Sequence, residues 1–176
     1  RVVANGRAIY CGKMSLHEAE ERIRDYWEPY HTKLQALLDT AHARHGQTVL
    51  IDCHSMPHEA MDGVARAGMK RPDVVLGDRF GVAASGDVVD RIEAAFASAG
   101  FIVTRNAPFA GAYITQAYGK PSKGQHAVQV EIDRSLYMNE KLIRPNGDFD
   151  AVCTALRRVI EEVAQIGQGR IPLAAE

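Results

Sequence analysis

Thr48-Val49-Leu50-Ile51-Asp52-Cys53-His54 opens with β-branched and apolar residues and ends on a carboxylate, a thiol and an imidazole. A short run of this kind predicts a strand over 48–53 that is covered on both faces by helices, with His54 at its C-terminal end. Upstream, Ser15 and Glu18 form a capping box ahead of Ile23, Trp27, Leu34, Leu37 and Leu38, so a helix is expected from Ser15 toward His45, where Gly46 stops it. Pro29 lies inside that stretch and predicts a kink or break, because its ring removes an N–H and clashes with the preceding turn. Downstream, 73–76, 101–104 and 126–133 are expected as three more strands. Helices are expected between Ser85 and Gly100 and between Asp148 and Gly167, and 106–124 reads as a long glycine- and proline-bearing loop. Helices alternating with buried strands predict an α/β three-layer sandwich with a mixed, largely parallel sheet flanked by helices.

The chain has 176 residues, enough for one domain, which is expected to span 1–176. Hydrophobic residues make up 46% and charged residues 24%, so a real core can form. Lysine and arginine total 21 against 22 acidic residues, which leaves no broad basic surface for nucleic acid. No apolar run approaches the roughly 18 to 20 residues of a membrane span. Cys11, Cys53 and Cys153 form no CxxC pair, which argues against a disulfide framework or a zinc knuckle and fits a reducing cytoplasm. Arg1-Val2-Val3-Ala4-Asn5-Gly6 reads like protein interior, and the chain is expected to be the C-terminal portion of a longer one.

Ligand crevices of open α/β sheets lie at the carboxyl ends of strands. Asp52 and His54 are two apart on an extended chain and point to one side, so the carboxylate can orient the imidazole or a water. A plain strand-end histidine bonded to a loop carbonyl is the alternative. Along 126–133, alternation puts Gln129, Glu131 and Asp133 on one face and His126, Val128, Val130 and Ile132 on the other. An inward Glu131 needs a partner, since a buried carboxylate without one is costly; the alternative is the wet face of an edge strand. Arg134, Arg79, Lys120 and Lys123 are candidate clamps for an anionic substrate, though any one of them is more often an ordinary surface charge. His58 and Glu59 do not make a His-Glu-x-x-His site. His42 and His45 have helical spacing for chelation but a solvated face as their default. Cys53 is expected on the far side of the strand, which disfavours a thiol nucleophile, and no phosphate loop or dinucleotide fingerprint is present.

Several blocks taken in order carry a resemblance: 50–57 (Leu-Ile-Asp-Cys-His-Ser-Met-Pro), Arg71-Pro72-Asp73, Gly77-Asp78-Arg79-Phe80-Gly81, Asn106-Ala107-Pro108-Phe109-Ala110-Gly111, Tyr118-Gly119-Lys120-Pro121, 124–131 and Arg134-Ser135-Leu136-Tyr137-Met138. With these the chain resembles the N-formylglutamate amidohydrolase family, zinc-dependent enzymes with the fold of zinc carboxypeptidases. The resemblance implies that His54 is a zinc-binding histidine and that Glu131 is the general base toward the metal-activated water, with formate and L-glutamate as products. It implies a substrate-carboxylate role for Arg79 and Arg134, supporting roles for Asp52 and Gln129, a small N-acyl amino acid as the partner, and a place in histidine breakdown. In the family the other zinc ligands lie in an N-terminal part that this sequence does not match. A deacylase for another N-acyl amino acid and a non-catalytic module that binds acidic amino acids are the competing readings, and a homo-oligomer stays open.

Overall fold

The computed structural model describes residues 8–10, 12–63 and 70–166. Arg1–Gly6, Cys11 and Gly167, on which expectations fell, lie outside them. The chain divides between Thr40 and Ala41 into two compact units.

In the first unit α1 spans Leu16–Arg22, with Ser15 Oγ accepting the Glu18 N–H at 3.1 Å. The interruption expected from Pro29 takes the form of a π turn, Ile23–Trp27, after which α2 runs over Glu28–His45. The Glu28 N–H reaches back five residues to the Ile23 carbonyl, so the widened turn comes directly before the residue that cannot donate. The helix bends its hydrogen-bond ladder and does not break.

The second unit is built on a sheet of β1 (Thr48–Met56), β2 (Val74–Gly77), β3 (Val103–Arg105) and β4 (Gln125–Asp133), in the order β1-β4-β2-β3. The β1–β4 and β2–β3 pairings are parallel and β2–β4 is antiparallel, which makes the mixed, largely parallel sheet expected. β1 runs three residues beyond the expected 53, because its register with β4 continues to Met56 beside Asp133. His54 therefore lies within the strand. β4 is central and buried along its whole length, which removes the wet-face alternative for Gln129 and Glu131.

α3 (Gly86–Ser98) and α5 (Phe149–Ala164) cover one side of the sheet, and Val128, Val130 and Ile132 of β4 pack with Val89, Ile92 and Val159 there. The 106–124 segment is not a bare loop: it holds α4 (Tyr113–Tyr118) and a 3-10 turn at Pro121–Lys123. Six residues between glycines are too few to show helical periodicity, so this helix left no pattern to read. α4 starts on the other side of the sheet, where the Ala112 N–H donates to Gln129 Oε1 at 2.7 Å. A short antiparallel pair, β5 (Met138–Asn139) and β6 (Arg144–Pro145), precedes α5. No described helix is long and apolar enough to cross a membrane.

Ser85 and Asp148 mark helix starts as expected, but neither side chain caps its helix. At α3 a neighbour intervenes: His126 Nδ1 accepts the Ser85 N–H at 3.2 Å. That bond needs a neutral imidazole, and burial pushes the His126 pKa down against the opposing pull of Asp87. A lowered native pKa means that His126 contributes stability above about pH 6.5 and loses it as the pH falls below that value. Unfolding midpoints between about pH 5 and 8 should therefore fall more steeply for the native chain than for His126→Asn. Parallel curves would remove His126 from this role.

Candidate active site

Register decides which side chains share a face. His54 lies beside Glu131, Asp52 beside Gln129 and Met56 beside Asp133 across the parallel β1–β4 pair. Val75 and Gly77 of β2 oppose Glu131 and Gln129. One face of the sheet thus carries Asp52, His54, Gln129, Glu131 and Asp133, as period-2 alternation requires.

Within this set Gln129 is the hub. Its Nε2 donates to Glu131 Oε1 at 2.8 Å while its own Oε1 takes the Ala112 N–H. Glu131 is 8% exposed, so this amide supplies the partner that a buried carboxylate demands. On β1, His54 Nε2 lies 3.0 Å from Asp52 Oδ1. The contact leaves Nδ1 as the lone-pair nitrogen. Asp52 Oδ2 is buried with no hydrogen-bond partner, an acceptor placed to meet a donor or a cation.

The roof of this face comes from 109–112. A Cβ on Gly77 would stand 2.6 Å from Gly111 N and 2.8 Å from Ala110 C, so only glycine lets that backbone lie on β2. Asn106, at φ 57°, ties the roof to the turn after β2, because its Oδ1 accepts the N–H groups of Asp78 and Phe80 and its Nδ2 donates to Asp78 Oδ1. Arg79 then donates from Nη1 to the Gly111 carbonyl at 3.4 Å. Arg79 and Gln129 therefore meet the consecutive residues Gly111 and Ala112, which brings the guanidinium to the Glu131 side. Gly77→Ala should lift the roof and destabilise the fold by about 1–3 kcal/mol through overpacking, read as a lower urea midpoint. An unchanged midpoint would show that the roof yields freely.

Arg134 goes elsewhere. Its Nε and Nη2 donate to Ser55 Oγ and the Ser55 carbonyl at 3.1 and 2.9 Å. It lines a cavity of about 550 Å³ with Cys53, His54, Ile132 and Cys153, toward the α5 side of the sheet. Glu131 is not among that cavity's lining residues. Partial burial, reinforced by the charges of Asp52 and Glu131, raises the Cys53 thiol above its ordinary pKa, which suits neither a nucleophile nor a thiolate ligand. Lys120 and Lys123 are exposed, and His42 Nε2 is engaged by the Lys123 carbonyl at 2.8 Å instead of chelating with His45.

Spacing set His58 aside as no part of a His-Glu-x-x-His site, yet its Nδ1 lies 2.6 Å from Asp133 Oδ2. Alternation flagged Asp133 on the Glu131 face, but only the fold brings His58 to it across 75 residues.

In donor type the site suits a divalent metal: an imidazole steadied by a carboxylate, beside a buried oxygen without a partner. In number it falls short, since no group of three His, Cys, Asp or Glu that could hold a metal ion occurs among the described residues. His54 fits as one ligand and Asp52 as its support.

The sequence pattern of the N-formylglutamate amidohydrolase family matches residues 1–138. N-formylglutamate deformylase of Pseudomonas aeruginosa is 34% identical over 169 residues, 92% of this chain and 60% of the relative. The deformylase of Pseudomonas putida is 35% identical over 128 residues, 70% of this chain and 45% of the relative. The crystal structure of N-formylglutamate amidohydrolase from Ralstonia eutropha superposes with a TM-score of 0.78 at 31% identity, covering 92% of this chain and 57% of that one. A gene product of Agrobacterium tumefaciens, 17% identical with a TM-score of 0.57, shares the fold. The chain thus spans no more than about 60% of the length of these relatives.

Proposed function

The chain belongs to the N-formylglutamate amidohydrolase family, and from that premise we propose that the complete protein hydrolyses the formyl amide of N-formyl-L-glutamate to formate and L-glutamate. The observation that supports this most is the register pairing of His54 with Glu131 on adjacent strands.

We assign zinc as the cofactor, with His54 as one ligand and the others in the part of the family protein that the chain does not span. When bound, zinc lowers the pKa of a water toward about 7 and polarises the formyl oxygen. Glu131 is the base: it takes the proton of the attacking water and delivers it to the amide nitrogen as the C–N bond breaks. Gln129 pins Oε1 of Glu131 and so leaves the other oxygen to carry that proton. Asp52 fixes the tautomer and rotation of His54. Arg79, held over this face by Gly111, receives a substrate carboxylate. Arg134, on the far side of the strands, serves the substrate only through the cavity at the end of β1. Cys53 and Cys153 are free thiols among the described residues, in keeping with a cytoplasmic enzyme.

The test is formate release by the zinc-loaded complete protein from N-formyl-L-glutamate, with the N-acetyl and N-succinyl compounds alongside. Preference for the formyl substrate is expected. Zinc-loaded protein that releases no formate would refute the reading.

A further inference from the structure

We infer that His58, held by Asp133, binds the side-chain carboxylate of the substrate; this assignment rests on the deformylase reading and names the specificity residue of that same site. Asp133 closes β4 on the face of Gln129 and Glu131 and is 3% exposed. Its Oδ1 accepts the Ser135 N–H at 2.9 Å, and its Oδ2 holds His58 Nδ1 at 2.6 Å. The main chain of His58 is fixed as well: its N–H donates to Glu140 Oε1 at 2.9 Å and its carbonyl accepts from Arg71 Nη1 at 3.1 Å. Arg71 is itself paired with Asp62 at 2.6 Å. With one ring nitrogen and both main-chain groups engaged, Nε2 is the edge left to the solvent, and the side chain is 47% exposed.

The arrangement is not a nucleophile triad. Ser135 Oγ stands 3.0 Å from the same Nδ1 that Asp133 occupies, whereas an activated hydroxyl needs the opposite nitrogen. Binding is the role that remains.

Charge and reach both select the ligand group. Asp52, Glu131 and Asp133 already put three carboxylates on this face, and an N-formyl acidic amino acid brings two more. Arg79 is one cation for them, while Arg134 spends two donors on Ser55 toward the α5 side. With Nδ1 held against Asp133, the Nε2–H of His58 is a second donor for a carboxylate. Asp133 lies two residues past Glu131, roughly 7 Å along the strand. Measured from the formyl carbon, the side-chain carboxyl carbon of an extended glutamate lies roughly 6 Å away across five bonds, and the α-carboxyl carbon less than about 4 Å away across three. The dyad matches the more distant group.

The experiment compares native, His58→Ala and His58→Gln complete protein on N-formyl-L-glutamate and N-formyl-L-glutamine, which differ in side-chain charge alone. In both variants KM for N-formyl-L-glutamate should rise about tenfold or more, the value of a charged hydrogen bond, with kcat within about threefold. KM for the glutamine compound should stay within about twofold. His58→Arg should recover part of the loss. Equal changes for the two substrates, or none, would overturn the assignment while leaving the deformylase reading standing. A native protein that hydrolyses neither compound would overturn both.

Discussion

Glu131→Gln is expected to fold normally and to release formate about 10²- to 10⁴-fold more slowly than the native enzyme, the usual cost of losing a general base. The substitution keeps the shape and an oxygen that can still accept the Gln129 N–H, so the roof over the site and the β4 core should remain as they are. What disappears is the ability to take a proton from water. The loss should fall on kcat, with KM little changed, because substrate contacts belong to other side chains. A variant that retains more than about a tenth of native turnover would show that another group carries the proton.

The second large effect is expected from His54→Ala. Removing the imidazole takes away the proposed zinc ligand and the partner of Asp52 Oδ1, which leaves a carboxylate with two unmatched oxygens at the site. Zinc content per chain should drop to background. Turnover should drop with it by on the order of a thousandfold or more, the equivalent of several kcal/mol of lost charge stabilisation. His54 is half exposed near the end of β1, so the fold should survive. Full zinc content in this variant would place the metal elsewhere.

The fold was largely legible because strands buried on both sides write continuous apolar runs. Val74–Leu76 could be read in this way without any partner in view, and 128–132 by its period-2 alternation. The placement of β4 between β1 and β2, parallel to the first and antiparallel to the second, could not, since pairing direction depends on connections that leave no local pattern. For the site, alternation separated Gln129 and Glu131 from Val128 and Val130 correctly, and the two-residue spacing of Asp52 and His54 allowed their contact without choosing it over a loop carbonyl. Short-range logic ended there. Gln129 reaching Ala112, Asn106 locking Asp78 and His58 finding Asp133 join segments distant in sequence, and none of these residues belongs to a spacing that would announce its partner.

On the proposed reading, the tie between Gln129 and Glu131 also sets how the complete protein should respond to its medium. An amide is uncharged, so mobile ions cannot shield the link that keeps the base aligned as they shield exposed ion pairs. Raising the ionic strength should therefore weaken capture of the dianionic substrate and leave the chemical step at saturation almost untouched.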